Sequence, residues 1–149
     1  MDLNRTIITK SAKETQELGK TVAHSVKRGE APRIVCLYGN LGSGKTTFVQ
    51  GFAQGMGLTD TRLLSPTFII VRRYDLLGGA KFFYHIDLYR MEHERELRAL
   101  GLLEIVADAN SYVAVEWAER LGNLLPARRL DIRFRALANE QHEIVMKAV

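Results

Sequence analysis

The chain has 149 residues, of which 46% are hydrophobic and 26% are charged, and its net charge at pH 7 is +4. This length predicts one domain, residues 1–149, and the composition is ordinary for a soluble globular protein. No apolar run approaches the roughly 20 residues of a membrane span, and the first residues lack the apolar core of a signal peptide, so we expect a cytoplasmic protein without a membrane partner. Because Lys and Arg are spread along the chain, the charge alone does not predict nucleic-acid binding.

Predicted strands and helices alternate in the first part of the chain. Residues 5–9 are typical of a short strand, and Ser11 with Glu14 forms the pattern of a helical capping box. Residues 33–38 form an apolar, β-branched run that indicates a buried parallel strand, and Cys36 within it, the only cysteine, is expected to be a buried thiol. The apolar stripe predicted for the first helix consists of Leu18, Val22 and Val26.

A complete phosphate-binding motif, G-x-x-x-x-G-K-S/T, follows at residues 39–46. Its glycines let the backbone turn and bring N–H groups close to phosphate oxygens. Lys45 is expected to reach the β- and γ-phosphates, and the Thr46 hydroxyl is expected to bind Mg²⁺. Apolar residues at helical spacing in residues 46–54 complete the required order of strand, loop and helix. The nucleotide-binding residues predicted here are Gly39, Asn40, Leu41, Gly42, Ser43, Gly44, Lys45, Thr46 and Thr47.

Strand patterns dominate the second part of the chain. Residues 67–74 and 81–87 are predicted to pair as an antiparallel hairpin through a turn at Gly78-Gly79. Apolar and charged side chains alternate in residues 130–135, which predicts a strand whose wet face includes Asp131. The remaining predicted elements are helices at residues 92–100 and 102–108, strands at residues 112–116 and 144–148, and a turn near Asn139.

This order of elements predicts an α/β fold. We expect a three-layer α/β/α sandwich like that of P-loop NTPases, with a mixed sheet that is parallel at its centre and antiparallel at its edges. Ligands of such sheets bind at the carboxyl ends of the central strands. The phosphate loop is therefore expected at that edge.

Two apolar strands end in an acidic residue, Asp87 in one case and Glu116 in the other. Mg²⁺ prefers octahedral oxygen ligands, so a carboxylate is expected near Thr46. Either acid fits the role of the Walker B residue, and spacing alone does not rank them. The alternative for each is that it caps the following helix, since Asp is a good N-cap residue.

Three further residues lie close to these motifs. Thr67 precedes a strand where P-loop proteins have switch segments, so it is a candidate for sensing the γ-phosphate or placing the attacking water, with a simple turn as the alternative. His85 shares a strand face with the first acid and is expected to be a hydrogen-bonded structural histidine. Trp117 fits a core, nucleotide-facing or partner-facing position. The arginines that are candidates to support phosphate charge are Arg72, Arg73 and Arg90.

Taken together, the motifs resemble the TsaE (formerly YjeE) family, small bacterial ATPases of tRNA threonylcarbamoyladenosine (t⁶A) synthesis. The phosphate loop is common to a whole superfamily, and the segment Ser-Pro-Thr-Phe at residues 65–68 follows it. His-Ile-Asp-Leu-Tyr-Arg at residues 85–90 and Val-Glu-Trp at residues 115–117 make the resemblance specific. It covers nearly the whole chain.

The resemblance implies an Mg²⁺-dependent ATPase that binds ATP or ADP and hydrolyses ATP weakly alone. It implies that the chain acts with the TsaB–TsaD pair, which transfers threonylcarbamoyl to tRNA, so that contact with tRNA is only indirect. The implied catalytic residues are Lys45, Asp87, Glu116 and Thr67. The implied Mg²⁺ ligands are Thr46 and Glu116, with Asp87 in the metal and water network. The further nucleotide-binding residues implied are Thr9, Ser11 and Trp117.

Two other functions share the phosphate loop. A small-molecule P-loop kinase needs an acceptor pocket and a closing lid, and no Arg-rich lid segment is evident after the loop. A nucleotide-controlled binding switch is the other alternative. For a GTPase-like switch, the Asn-Lys-x-Asp segment that reads guanine is absent from the sequence.

Overall fold

The computed structural model describes residues 1–59, 70–77 and 81–149. Its helices are α1 (Ala12–Lys27), α2 (Lys45–Gly55), α3 (Glu94–Ala99) and α4 (Leu102–Ala107), and a 3₁₀ segment spans Ala118–Leu124. Its strands are β1 (Arg5–Thr9), β2 (Ile34–Tyr38), β3 (Val71–Asp75), β4 (Phe82–Asp87), β5 (Ser111–Glu116), β6 (Leu130–Ala136) and β7 (His142–Ala148). The predicted order of elements is confirmed. Residues 65–68 with Thr67, the first predicted residues of the hairpin and its Gly78-Gly79 turn lie outside the described residues.

The strands of the described residues form a mixed sheet in the order β1-β7-β6-β2-β5-β4-β3. The four central strands, β6, β2, β5 and β4, are parallel neighbours, whereas β7 and β1 on one side and β3 on the other pair antiparallel. The predicted parallel centre and antiparallel edges are confirmed. Since the chain reaches β5 on one side of β2 and β6 on the other, the switch point of the sheet lies at β2, where ligands of α/β proteins bind.

Helices cover both faces of the sheet, which confirms the predicted three layers. Along β2, Val35 and Leu37 pack into the core beneath α1 and α2, whereas Ile34 and Cys36 pack into the core beneath α3, α4 and the 3₁₀ segment. Cys36 is fully buried, as predicted, and burial raises the pKa of its thiol to about 12. Among the described helices, none combines the length and apolarity of a membrane span.

The two long helices cross at unusually close range. A Cβ atom placed on Gly51 of α2 would lie 1.9 Å from the carbonyl oxygen of Gln16 in α1, and one on Gly19 of α1 would lie 2.2 Å from the carbonyl oxygen of Phe48 in α2. Only glycine permits such an approach of two backbones. The crossing fixes α2, and thereby the loop at its N-terminus, against the rest of the layer.

Two local predictions needed correction. The Ser11 hydroxyl accepts a hydrogen bond from the Glu14 N–H at 3.1 Å, but the Glu14 carboxylate accepts from the Lys10 N–H at 2.9 Å, so only one half of the predicted capping box is present. Asp131, expected on a wet strand face, is buried, because Tyr38 and Arg129 both donate hydrogen bonds of 2.9 Å to its carboxylate. Paired in this way, a carboxylate is tolerated inside the protein.

Candidate functional site

A cavity of about 530 Å³ opens at the carboxyl ends of the central strands. It brings together three predicted residues from distant parts of the chain, Asp87, Glu116 and Trp117. The loop residues that line it are Leu41, Gly42, Gly44, Lys45, Thr46 and Thr47. Gly39, Asn40 and Ser43 belong to the same loop but do not line the cavity formed by the described residues.

The loop ends where α2 begins. Gly44 is the N-cap residue of α2 and has a φ of 105°, a left-handed conformation that favours glycine. The first residues of the helix, Lys45, Thr46 and Thr47, line the cavity, so the positive end of the helix dipole lies there. This arrangement attracts anions, phosphate groups among them.

Lys45 is folded back onto its own loop. Its ammonium group donates hydrogen bonds to the carbonyl oxygens of Gly39 and of Asn40, the latter at 3.2 Å. It also lies 4.0 Å from the centre of the Trp117 ring, a cation–π geometry. Burial lowers the pKa of Lys45, and the nearby carboxylates of Glu116, Glu119 and Asp87 oppose that shift. The cation is therefore held in a desolvated, acid-lined corner of the cavity.

Glu116 connects the loop to the sheet. Its carboxylate is buried, with one oxygen accepting the Thr46 hydroxyl at 3.0 Å and the other lying 2.6 Å from Nε2 of His85. The predicted hydrogen bond of His85 is thus confirmed, with Glu116 as its partner. Spacing left the two acids unranked, and the geometry selects Glu116 as the acid that contacts Thr46.

Asp87 lies directly beside Glu116, because the two residues are register partners at the ends of β4 and β5. Its carboxylate accepts a hydrogen bond from the Tyr89 N–H at 3.0 Å. Burial raises the pKa of Asp87, and the Glu116 charge adds to this, whereas the Tyr89 N–H, His85 and Lys45 oppose it. The half-buried carboxylate faces the cavity and is open to a further hydrogen bond.

Some predicted residues lie elsewhere. The Thr9 hydroxyl is buried 2.7 Å from that of Thr15, and Ser11 caps α1, so neither lines the cavity of the described residues. Thr9 is, however, the register partner of His142, which does line it. Among the candidate arginines, Arg90 lines the cavity, whereas Arg73 forms an exposed ion pair with an acid on its own strand.

Three residues that line the cavity, Ile70, Tyr89 and His142, were not among the predicted site residues. Tyr89 belongs to the motif at residues 85–90, and its ring lies 5.0 Å from that of Trp117. His142 carries no signal in the sequence, because only the pairing of β7 with β1 and β6 brings it to the loop. Within the described residues, Nδ1 of His142 and Oγ of Ser43 are buried side-chain atoms without a hydrogen-bond partner.

Comparisons with known proteins identify a family for this chain. The profile of the family described as "Threonylcarbamoyl adenosine biosynthesis protein TsaE" matches residues 9–144. The chain is similar to the tRNA threonylcarbamoyladenosine biosynthesis protein TsaE of Bacillus subtilis, with 39% identity over 142 residues, covering 95% of this chain and 84% of the relative. The chain is also similar to the protein of the same description from Borreliella burgdorferi. The identity is 37% over 121 residues, which cover 81% of this chain and 83% of the relative.

A solved structure is similar over the whole fold. The crystal structure of Bacillus subtilis YdiB has a TM-score of 0.74 and 31% identity, covering 100% of this chain and 89% of that one. The predicted P-loop NTPase-like α/β fold is confirmed by this likeness together with the mixed sheet. From the match of the family profile and the identity to curated relatives, the chain belongs to the TsaE family of tRNA threonylcarbamoyladenosine biosynthesis proteins.

Proposed function

We propose that this chain binds and hydrolyses ATP with Mg²⁺, and that its nucleotide cycle serves t⁶A synthesis in partnership with the TsaB–TsaD pair. The observation that carries the proposal is the contact of Thr46 with Glu116 beside a complete phosphate loop. A hydroxyl at the start of the loop helix and an acid at the end of a neighbouring strand are the two protein ligands that P-loop ATPases give to Mg²⁺. Family membership supports the pathway, and the named partners rest on the resemblance of the motifs.

The residues fit Mg²⁺. Within the described ranges, no group of three or more His, Cys, Asp or Glu side chains is arranged to hold a metal, so phosphate and water oxygens would have to complete the Mg²⁺ ligand set. The Thr46 hydroxyl and the Glu116 carboxylate, which lie within hydrogen-bond distance of each other, are oxygen donors of the kind that Mg²⁺ prefers. When bound, Mg²⁺ would neutralise charge on the β- and γ-phosphates.

Phosphate binding would fall to Lys45 and the loop. The N–H groups of the loop and the first turn of α2 supply donors together with the positive end of the helix dipole. Lys45 would exchange the Gly39 and Asn40 carbonyl oxygens for phosphate oxygens, which are stronger acceptors because they are charged. The partnerless Nδ1 of His142, which lines the cavity, supports a polar ligand here.

Hydrolysis would proceed by attack of water on the γ-phosphorus. The new P–O bond forms as the bond to the β–γ bridging oxygen breaks, which yields ADP and inorganic phosphate. Asp87 would accept a hydrogen bond from the attacking water, with its carboxylate held by the Tyr89 N–H. The cavity is open at its mouth, which leaves room for a group from a partner protein. Such a group would raise a low intrinsic rate of ATP hydrolysis.

Trp117 should report nucleotide binding. It is the only tryptophan of the chain, and the Lys45 ammonium lies 4.0 Å from its ring centre. Transfer of Lys45 from the ring to a phosphate removes this cation–π contact, so we expect a saturable change in Trp117 emission on titration with ATP or ADP. Lys45→Ala should abolish most of the change. An emission that stays constant while calorimetry records ATP binding would contradict this position of Lys45.

The proposed function is tested by measuring ATP hydrolysis by the purified chain, alone and with the TsaB–TsaD pair of the same organism. We expect strong stimulation by the pair, and a loss of about 100-fold or more in Glu116→Ala because a metal ligand is removed. Glu17→Ala, which removes an exposed carboxylate of α1, is the matched control and should behave as wild type.

The same assay separates the alternative functions. Intact ATP binding without hydrolysis or stimulation would favour a nucleotide-controlled binding switch. Transfer of the γ-phosphate to a metabolite in place of water would favour a small-molecule kinase. Either result would contradict the proposed ATPase cycle.

A further inference from the structure

We propose that His85 is a positioning residue for the magnesium ligand Glu116, holding one carboxylate oxygen so that the other is presented to Thr46 and the metal. This inference rests on the proposed function, since it concerns the same Mg²⁺ site. It assigns to His85 a role beyond that of a structural histidine of the core.

The position of His85 follows from the sheet. β4 and β5 are parallel neighbours, and His85 lies two residues before Asp87, the register partner of Glu116. Side chains two residues apart share a strand face, so all three point to the side of α2. His85 is 7% exposed and Glu116 is 3% exposed. The 2.6 Å contact between them is therefore shielded from water.

The contact has a defined direction. A carboxylate that binds Mg²⁺ is ionised and only accepts hydrogen bonds, so the proposal requires that Nε2 of His85 carries the hydrogen and donates it to Oε2 of Glu116. The opposite oxygen, Oε1, accepts the Thr46 hydroxyl at 3.0 Å. Each oxygen of the buried carboxylate thus has one partner, one from the sheet and one from the phosphate loop.

Metal binding would affect the two partners of Glu116, Thr46 and His85, differently. The last torsion of a Glu side chain is broad, so rotamer preference does not fix the plane of the carboxylate. In the described structure the plane is fixed from both sides. If Thr46 gave its hydroxyl oxygen to Mg²⁺, the hydrogen bond of His85 would, among the described residues, still hold the Glu116 carboxylate. Without it, the carboxylate would have to be ordered as the metal binds, which weakens Mg²⁺ affinity.

Two substitutions separate positioning from packing. His85→Phe keeps a flat ring in the core but removes the donor, whereas His85→Gln places an N–H donor near the position of Nε2. The readout is calorimetric ATP binding, in EDTA and across a Mg²⁺ titration. We expect His85→Phe to need about 10- to 100-fold more Mg²⁺ for half-maximal enhancement of ATP binding, as is typical when a hydrogen bond to a metal ligand is lost. ATP affinity in EDTA should stay unchanged, and His85→Gln should recover most of the loss.

The outcomes are distinguishable. If Mg²⁺ does not enhance ATP binding by the wild type, the proposed function fails, and this inference fails with it. If Mg²⁺ acts on the wild type and on His85→Phe at the same concentration, only the role of His85 is wrong. An equal loss in His85→Gln and His85→Phe would likewise overturn it, because retention of the donor would then make no difference.

A measurement on the wild type covers the case in which His85→Phe does not fold. Nitrogen NMR of the imidazole distinguishes the tautomer with hydrogen on Nε2 from the one with hydrogen on Nδ1. The proposal requires hydrogen on Nε2 both in the free chain and with Mg²⁺ and ADP present. A neutral His85 with hydrogen on Nδ1 in either sample would overturn it, because such a ring cannot donate to Glu116.

Discussion

Lys45→Ala is expected to slow ATP hydrolysis by about 100- to 1,000-fold, the usual cost of removing a group that stabilises charge in the transition state. The structure holds the ammonium group almost fully buried at the loop, beside the Gly39 and Asn40 carbonyl oxygens. Because it is already desolvated there, little of its interaction with phosphate would be lost to water. ATP affinity should also fall, by about tenfold, which corresponds to one hydrogen bond between charged groups.

Controls separate this effect from a general loss of charge. Lys13→Ala removes an exposed lysine of α1 and should leave the rate of ATP hydrolysis and the ATP affinity unchanged. Lys45→Arg keeps the charge but replaces a compact ammonium with a planar fork, so its hydrolysis should lie between that of Lys45→Ala and wild type. Single-turnover hydrolysis and calorimetry measure the two effects separately. A rate in Lys45→Ala close to wild type would contradict the proposed mechanism.

The parts of the site that the sequence predicts are those encoded by neighbouring residues. The phosphate loop needs glycine, lysine and threonine at fixed positions within residues 39–46, so a short stretch of sequence specifies its chemistry. The strand before it and the helix after it follow from periodicity alone. For the same reason, the three layers and the mixed sheet were predictable from the order of the elements, and the structure confirms them.

Contacts between distant residues were not predictable in this way. Asp87 and Glu116 end similar strands, and their ranking required the register of β4 with β5 and the contact of Glu116 with Thr46. His142 reaches the loop only through the antiparallel edge of the sheet. Asp131 fitted the pattern of a wet strand, and its burial depends on Tyr38 and Arg129 from other positions. In each case, at least one deciding contact comes from a residue that is distant in sequence, such as Tyr38 for Asp131.

The packing of α2 links the fold to the site. α2 carries Lys45 and Thr46 at its first turn, and it is fixed at its middle by contact with α1. The side-chain amide of Gln16 in α1 also donates to that of Gln50 in α2 at 3.2 Å. A change that moves α2 away from α1 therefore moves the helix end that forms the candidate phosphate site.

Gly51→Ala tests this link, and the expected sign is informative. Ala favours a helix interior over Gly by about 1 kcal/mol, so helix propensity alone predicts a more stable protein. The added Cβ atom, however, would lie 1.9 Å from the Gln16 carbonyl oxygen, and a backbone atom cannot turn aside as a side chain does. Overpacking of this kind costs about 3 kcal/mol at the upper end of its usual range. That cost outweighs the gain in helix propensity.

We therefore expect Gly51→Ala to lower the free energy of unfolding by about 2 kcal/mol or more, and the melting temperature by roughly 5 °C or more. Gln54→Ala is the matched control, because it changes an exposed residue of the same helix and should stay within about 0.5 kcal/mol of wild type. Thermal and urea unfolding of the two variants measure the melting temperature and the free energy of unfolding. Since the strain is relieved by displacing α2, ATP affinity should fall in Gly51→Ala and persist in Gln54→Ala. A Gly51→Ala protein that is more stable than wild type would mean that α1 and α2 do not cross in close contact.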